Sequence, residues 1–285
     1  MTASAGRVQL LEHSLPAESA ILPLAAGENF SVASLVLGRE TRAHLHAVYG
    51  FARLVDQLGD EAPGDRLALL DLLEEELDRA FAGTARHPLL GRVAAAVSAC
   101  DLPRSPFLRL IEANRRDQVV ARYQTFAELL DYCSLSANPV GELVLHVFGA
   151  ATPDRVALSD RVCTALQLVE HWQDVAEDYG RGRIYVPAQD LAHFRVEPAE
   201  LGARRAGGRL RALLEFEVER TRALLDEGAA LVRLLHGRAR VAVAGYVGGG
   251  RAALDAIAAA DFDVLARTPR AGRVRRVART LGALA

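Results

Sequence analysis

A short stretch in the second half of the sequence, HWQDVAEDYGRGRIYVP, combines carboxylates with arginines at close spacing. Glu170, Asp174 and Asp178 recur every four residues, so a helix presents them on one face. Arg181 and Arg183 follow at once. Carboxylate oxygens are the ligands that Mg²⁺ prefers, and guanidinium groups bind phosphate oxygens in pairs. The pattern therefore fits a site for a metal-bound diphosphate, and a solvated helix face stays open as the alternative.

A second acidic pair lies nearer the start of the chain, in the segment FARLVDQLGDE. Asp56 and Asp60 are four residues apart, and Arg53 precedes Asp56 by one helical turn. Like charges at this spacing destabilise an isolated helix slightly, and a cation bound between them removes that cost. We expect Gly59, which has no side chain, to leave room for a ligand. Two such pairs on facing helices can hold Mg²⁺ together with a diphosphate, unless they are two unrelated charged faces.

A third stretch, YCSLSANPVGELVLHVFG, interrupts a helical pattern with small residues and a proline. Pro139 removes a backbone donor and disfavours the helical conformation of Asn138 before it. The residues alone favour an ordinary proline kink packed against a neighbour. The other interpretation is a broken helix that lines a cavity, with Ser136 and Asn138 as polar groups near a reacting chain.

The elements that must position these residues are predicted to be helices. Apolar residues recur at helical spacing between the turn signals, aromatic residues make up only 6% of the chain, and no convincing strand is visible. The predicted helices lie at about 40–58, 65–83, 88–100, 104–122, 126–149, 154–179, 209–236 and 239–260. We therefore predict an all-α protein with a single domain over residues 1–285.

Composition and charge exclude several classes of function. The formal net charge of −2 gives no general attraction for nucleic acid. The cysteines lack metal-ligand spacing, and we see neither an export signal nor a membrane-spanning run, so we expect a cytoplasmic location.

His171 has no ligand partner one turn further on, and we interpret it as a core or surface histidine. The arginine-rich tail, about 267–285, is either a solvated end or a surface for phosphate or a membrane.

Taken together, these stretches resemble the squalene/phytoene synthase family of head-to-head prenyl synthases, and the resemblance covers most of the chain. It rests on the segments ENFSVAS, YGFARLVDQLGD, RRDQVVARYQTFAELLDYCSLSANPVG and QLVEHWQDVAEDYGRGRIYVP. The resemblance implies an all-α isoprenoid-synthase bundle with a central apolar cavity. It also implies Mg²⁺ as cofactor and presqualene diphosphate or farnesyl diphosphate as substrate.

The resemblance further implies roles for individual residues. The Mg²⁺-binding aspartates would be Asp56, Asp60, Asp174 and Asp178. The contacts to the diphosphate or the metal shell would be Arg53, Gln167 and Arg183. Tyr246 matches a pocket tyrosine near the C-terminal helix.

Within the family, the segments GENFSVAS, SANPVG and HWQDVAEDYGRGRIYVP look most like the bacterial hydroxysqualene synthases of hopanoid biosynthesis. That branch implies conversion of presqualene diphosphate and water to hydroxysqualene and diphosphate, without a nicotinamide. Our hypothesis is that Asn138, with Ser136, places the attacking water. The product is very apolar, which makes peripheral membrane contact and hand-over to a downstream squalene-forming enzyme further hypotheses.

Two other functions stay open at this point. The first keeps the fold and condenses two C15 or C20 diphosphates to presqualene diphosphate, squalene, dehydrosqualene or phytoene. The second is a non-catalytic helical assembly factor or membrane-surface protein, although all four aspartates of the two pairs are present.

The sequence departs from the family pattern in three places. Gln57 stands where the first acidic motif often has a second adjacent aspartate. Glu170 stands where asparagine is common, and it adds either a further ligand or a repulsive neighbour with a raised pKa. Ser134 and Leu135 lie where eukaryotic squalene synthases carry a catalytic tyrosine, which argues against a full two-step squalene synthesis.

Overall fold

The computed structural model describes residues 15–16 and 37–285, so the segment ENFSVAS (28–34) lies outside the described residues. Within those ranges the chain forms thirteen α-helices. They are α1 (Arg39–Asp56), α2 (Arg66–Phe81), α3 (Pro88–Cys100), α4 (Arg104–Asp117), α5 (Phe126–Ser136), α6 (Asn138–Val147), α7 (Pro153–Gln173), α8 (Val175–Gly180), α9 (Ala188–Phe194), α10 (Gly208–Gly228), α11 (Leu231–Leu234), α12 (Gly237–Ala259) and α13 (Arg273–Leu284). In the same residues β pairing is limited to one isolated bridge, between Arg122 and Ile184. The prediction of an all-α protein is confirmed.

The helices divide into two compact units. The first contains the described residues up to Val119 together with Pro139–Ala151, and the second contains Val120–Asn138 and Thr152–Ala285. In the first unit the rings of Phe51 and Phe107 meet edge to face with centroids 5.0 Å apart, and both are fully buried. The single domain over residues 1–285 and its central cavity stay predictions.

Several predicted helix boundaries are confirmed, and others are wrong for a physical reason. Helix α2 starts where predicted, because the Asp65 side chain accepts a hydrogen bond from Ala68 N at 3.0 Å. Helix α4 ends at Asp117 and does not reach residue 122. The backbone beyond it pairs with a distant segment instead, since Ile184 N donates to Ala121 O at 2.9 Å. A long-range pairing of this kind leaves no local signal in the sequence.

Packing between α7 and α10 anchors the helix that leads to the second acidic pair. Trp172 is fully buried, and its Nε1 donates to Thr221 Oγ1 at 2.8 Å. Near it, Arg220 Nη2 lies 2.5 Å from Glu217 Oε2 and 2.7 Å from Asp190 Oδ2. Burial raises the pKa of Glu217 to about 8, with Asp190 adding to the rise and Arg220 opposing it. The end of α7 is thus held by a fully enclosed polar contact on α10.

Helix α13 was not predicted from the sequence, which suggested only an arginine-rich tail. It packs on α12 at Gly248, where an added Cβ would lie 2.5 Å from Thr280 N and 2.6 Å from Thr280 Cα. Arg279 Nε of α13 donates to Asp255 Oδ2 of α12 at 2.7 Å. No helix among the residues that the structure describes combines the length and apolar character that a membrane span requires.

This close approach predicts different effects for two adjacent glycines of α12. Gly248→Ala should lower the midpoint of thermal unfolding and expose α13 to protease, because the new methyl group meets the backbone of Thr280. Gly249→Ala is the matched control, since an added Cβ there meets nothing within 4 Å. It should stabilise the helix by up to about 1 kcal/mol. Equal unfolding curves for the two variants would show that α13 does not pack on α12 at this point.

Candidate active site

The first acidic pair lies where α1 passes into a short π-helical segment, Gln57–Glu61. In this segment Ala62 N donates to Gln57 O at 3.0 Å, which is a bond across five residues. Asp56 and Asp60 are both exposed to solvent. Segments of π-helix are rare and are frequently found at functional sites. Both carboxylates of the pair are thus accessible to a ligand.

The prediction that Gly59 leaves room for a ligand is wrong. A Cβ at this position would lie 2.1 Å from Asn114 Oδ1, so the space is already filled by the Asn114 side chain. Asn114 Nδ2 in turn donates to Asp56 Oδ1 at 3.3 Å, and Gln118 Nε2 donates to Gly59 O at 3.0 Å. Asn114 is 7% exposed. The glycine therefore lets a buried amide of α4 reach and orient Asp56.

Arg53, expected to contact the diphosphate, lies in the same unit as this pair. Its Nη2 lies 3.4 Å from Glu61 Oε1 in a partly exposed ion pair. Exposed pairs of this kind contribute little to stability. The guanidinium can therefore exchange Glu61 for another anion at small cost, and its contact with a diphosphate stays a prediction.

The second acidic pair lies at a break between two helices. The predicted helix over 154–179 is interrupted at Asp174, where α7 ends and α8 begins. Asp178 N still donates to Asp174 O at 2.9 Å, so the two residues remain one turn apart. Both side chains are half-buried. Glu170, one turn earlier on α7, is exposed.

Burial and neighbouring carboxylates disfavour the ionised forms of Asp174 and Asp178. Burial raises the pKa of Asp174, and Glu177 adds to the rise. Burial also raises the pKa of Asp178, to about 7, with Asp174 as the next largest cause. Arg181 and Arg183 lower the pKa of Asp178 but do not cancel these effects. A positive charge placed beside this pair would stabilise both carboxylates.

The two arginines follow α8 in a turn that brings one of them back to the pair. Gly182 adopts a φ of +81°, and Arg183 N then donates to Asp178 O at 2.9 Å. Arg183 is half-buried, whereas Arg181 is exposed and pairs with Glu177 at 2.8 Å. The turn therefore fixes the backbone of Arg183 directly against the backbone of Asp178.

A buried histidine beside Asp178 was not recognised from the sequence as part of the site. His171 Nδ1 lies 3.9 Å from Asp178 Oδ2, and the ring stacks on Tyr185 with centroids 3.7 Å apart. Gln167 Nε2 lies 3.3 Å from His171 Nε2. Burial, and then Arg183, lowers the pKa of His171 to about 3, so the ring is neutral. The signal that could have revealed it is the seven-residue spacing to Asp178, which is two helical turns.

The predicted polar residues of the proline break have a defined local setting. The helix breaks at Ala137, between α5 and α6, as the broken-helix interpretation requires. Asn138 is buried, and its Oδ1 accepts a hydrogen bond from Thr164 Oγ1 at 2.9 Å. Ser136 Oγ is buried and has no hydrogen-bond partner within the described part of the chain. Tyr246 lies on α12, and burial raises the pKa of its hydroxyl.

The second unit thus brings together part of the predicted set. Gln167, Asp178 and Arg183 lie around His171, and Asp174 is one turn away. Asp56 and Asp60 belong to the first unit. Across residues 15–16 and 37–285, no group of three or more His, Cys, Asp or Glu side chains could hold a metal ion. Each pair therefore offers two carboxylates, and other metal ligands must come from water or from a bound substrate.

Comparison with known proteins gives consistent matches. The model of the squalene/phytoene synthase family matches residues 24–279. A hydroxysqualene synthase of Sinorhizobium fredii is 34% identical over 209 residues, which are 72% of this chain and 70% of the relative. A 15-cis-phytoene synthase of Synechococcus elongatus is 30% identical over 251 residues, which are 83% of this chain and 82% of the relative.

A solved structure agrees with these matches. The squalene synthase HpnC from Alicyclobacillus acidocaldarius has 46% sequence identity and a TM-score of 0.80 with this chain, over 86% of this chain and 94% of that one. The helices described above therefore form the all-α fold of the isoprenoid synthases. The chain belongs to the squalene/phytoene synthase family, a family of enzymes that use prenyl diphosphates.

Proposed function

We propose that this protein converts presqualene diphosphate and water to hydroxysqualene and diphosphate. The carbon–oxygen bond to the diphosphate breaks, the carbon skeleton rearranges, and a water oxygen bonds to carbon with loss of a proton. The hydroxysqualene synthase of Sinorhizobium fredii supports this choice within the family. So do the serine and leucine, Ser134 and Leu135, at the place of a tyrosine that full squalene synthesis uses.

The observation that carries the diphosphate chemistry is the half-buried pair Asp174 and Asp178, one helical turn apart, with Arg183 turned back against Asp178. A half-buried pair of carboxylates with raised pKa values lowers the stability of the ligand-free fold. Such pairs are typical of sites that bind a ligand, because the ligand stabilises the ionised carboxylates. The ligand that suits two such carboxylates is a hard cation. Exposed Asp56 and Asp60 offer the same donor set in the first unit.

These donors fit Mg²⁺, and we propose it as the cofactor of the reaction. Asp174 and Asp178 would hold it in the second unit, and Asp56 and Asp60 in the first. When bound, Mg²⁺ supplies positive charge that neutralises the departing diphosphate. Glu170 is exposed one turn before Asp174 and would add a carboxylate at the edge of the site.

The remaining residues of the proposed site bind and orient the substrate. Arg183 and Arg53 would donate hydrogen bonds to diphosphate oxygens. Gln167 would contact the diphosphate or the ligands that surround the metal ion. His171 is neutral and buried, so it would orient Asp178 rather than add a charge. These contacts stabilise the negative charge that develops on the leaving oxygens.

Water capture is assigned to the break between α5 and α6. Thr164 fixes the amide of Asn138, whose Oδ1 keeps a second lone pair for a water proton. Ser136 Oγ is buried without a described partner, and a buried hydroxyl of this kind is costly unless a water or substrate group meets it. Tyr246, with its hydroxyl buried on α12 of the same unit, would line the apolar pocket that the reaction requires. The pair Ser136 and Asn138 would thus place a single water beside the cation.

A second candidate function is the condensation of two prenyl diphosphates. The match to a 15-cis-phytoene synthase, which spans 83% of this chain, favours it.

The two functions can be separated by the substrate that the purified protein is given. Purified protein with Mg²⁺ and presqualene diphosphate, without NADPH, should release hydroxysqualene, detected by chromatography with mass detection. Farnesyl diphosphate alone should give nothing. A C30 diphosphate or hydrocarbon from farnesyl diphosphate would assign the condensing function instead.

Removing the charge of Asp178 should raise the stability of the protein and lower its activity. Asp178→Asn should raise the thermal unfolding midpoint of the metal-free protein, because it removes a half-buried charge next to Asp174. The same change should lower turnover by roughly 10²-fold or more. It should also abolish the rise in unfolding midpoint that Mg²⁺ and inorganic diphosphate together give the wild-type protein.

Asp226→Asn is the matched control for this change. Asp226 forms an exposed ion pair with Arg251 at 2.6 Å, so its loss should leave activity and ligand stabilisation unchanged. Full activity of Asp178→Asn, or a ligand-induced shift equal to that of the wild type, would remove Asp178 from metal binding.

The proline break predicts a change in product rather than in rate alone. Asn138→Ala and Ser136→Ala should lower the proportion of alcohol and raise the proportion of hydrocarbon formed by proton loss, because the water is no longer held. Ser98→Ala is the control, since Ser98 is exposed on α3 of the first unit. An unchanged alcohol fraction in both variants, at whatever rate, would contradict the role of these residues.

A further inference from the structure

Helix α13 presents an apolar stripe to solvent. Val274, Val277 and Leu281 are 85%, 56% and 62% exposed, and their spacing of three and four residues places them along one face. They are three of the seven large apolar side chains exposed within the described residues. Single exposed apolar residues need no explanation, whereas an aligned set on one helix marks an interaction surface.

The segment around this stripe carries positive charge only. Residues 264–285 contain six arginines and no Asp or Glu, in a chain with a net charge of −2. Arg267 and Arg273 are exposed, and no ion pair is described for them in the part of the chain covered by the structure. Arg270 is also exposed, but its charge acts on Asp174, whose pKa it lowers. The chain thus concentrates unneutralised positive charge beside an apolar face.

The stripe is held in place by the rest of the second unit. Thr280 packs on Gly248, and Arg279 is paired with Asp255, so another face of α13 contacts α12. The outward direction of Val274 and Leu281 is therefore set by packing and does not depend on a ligand.

We propose that α13 docks this protein on an anionic lipid bilayer. The apolar stripe enters the boundary between headgroups and acyl chains, and the exposed arginines bind lipid phosphates. Charge complementarity favours this partner. An anionic lipid surface carries negative charge throughout, so the arginines can bind it without a particular arrangement relative to one another. Three side chains are too few for a stable protein interface, which buries about 1,000 Å² or more. The apolar stripe has no role in binding a nucleic-acid backbone.

The docking is weak and reversible, as expected for one short helix with few inserted side chains. It does not rest on the proposed reaction, since the surface lies outside the acidic pairs and requires no substrate. It would nevertheless bring a site that handles long apolar chains close to the bilayer that dissolves them.

The test is co-sedimentation of the purified full chain with vesicles, without Mg²⁺ or substrate. Wild-type protein should pellet with phosphatidylglycerol-containing vesicles, should not pellet with pure phosphatidylcholine, and should be released by high salt. The triple variant V274S/V277S/L281S and the double variant R267Q/R273Q should each reduce the bound fraction roughly tenfold. Circular dichroism and hydroxysqualene or diphosphate release should match the wild type in both.

Two matched controls define the surface. Val119→Ser removes a valine that is 77% exposed in the first unit, and R233Q/R238Q removes exposed arginines of the second unit outside the segment. Both should leave binding unchanged. The proposal is overturned if the wild type fails to pellet, if neutral vesicles bind it equally, or if the triple variant binds like the wild type. Self-association that the triple variant abolishes, without vesicle binding, would assign the face to a second copy of the chain.

Discussion

Asp174 and Asp178 are half-buried carboxylates one helical turn apart, and the candidate site of the second unit is built around this pair. Burial raises the pKa of each, Glu177 adds to the rise at Asp174 and Asp174 adds to it at Asp178, and the nearby arginines compensate only in part. A bound cation would add to the positive charge of the nearby arginines and stabilise both ionised carboxylates, which is the role that the proposed diphosphate chemistry gives to Mg²⁺.

The surroundings of both acidic pairs are rigid although the carboxylates themselves are accessible. In the second unit Trp172 and His171 are buried on adjacent positions of α7, which fixes the end of the helix where Asp174 lies. In the first unit Asn114 fills the space beside Gly59 and bonds Asp56. Preorganised ligands of this kind bind a cation or a developing anion without reorganisation at the moment of reaction.

The near-zero net charge of the chain conceals a strong local separation of charge. The two pairs carry carboxylates, whereas residues 264–285 around α13 contain six arginines and no Asp or Glu. Electrostatic attraction acts within about 10 Å at ordinary ionic strength, so each region presents its own sign to its own partner. A metal-bound diphosphate and a lipid surface can therefore be recognised by one nearly neutral protein.

The sequence by itself determined the helical class, the start of α2 and the two aspartate pairs, because these depend on contacts within a few residues along the chain. Periodicity of apolar residues and the Asp65 cap act inside one helix. The family could also be read from motifs, since their residue types and order are local.

Only the tertiary structure decided what surrounds those motifs. It filled the space beside Gly59 with Asn114, ended α4 early through the pairing of Ala121 with Ile184, and set His171 against Asp178. It also showed that the arginine-rich tail contains α13, a helix with an exposed apolar face. These features depend on contacts between residues far apart in the chain, and the free energy of such contacts has no counterpart in local sequence pattern.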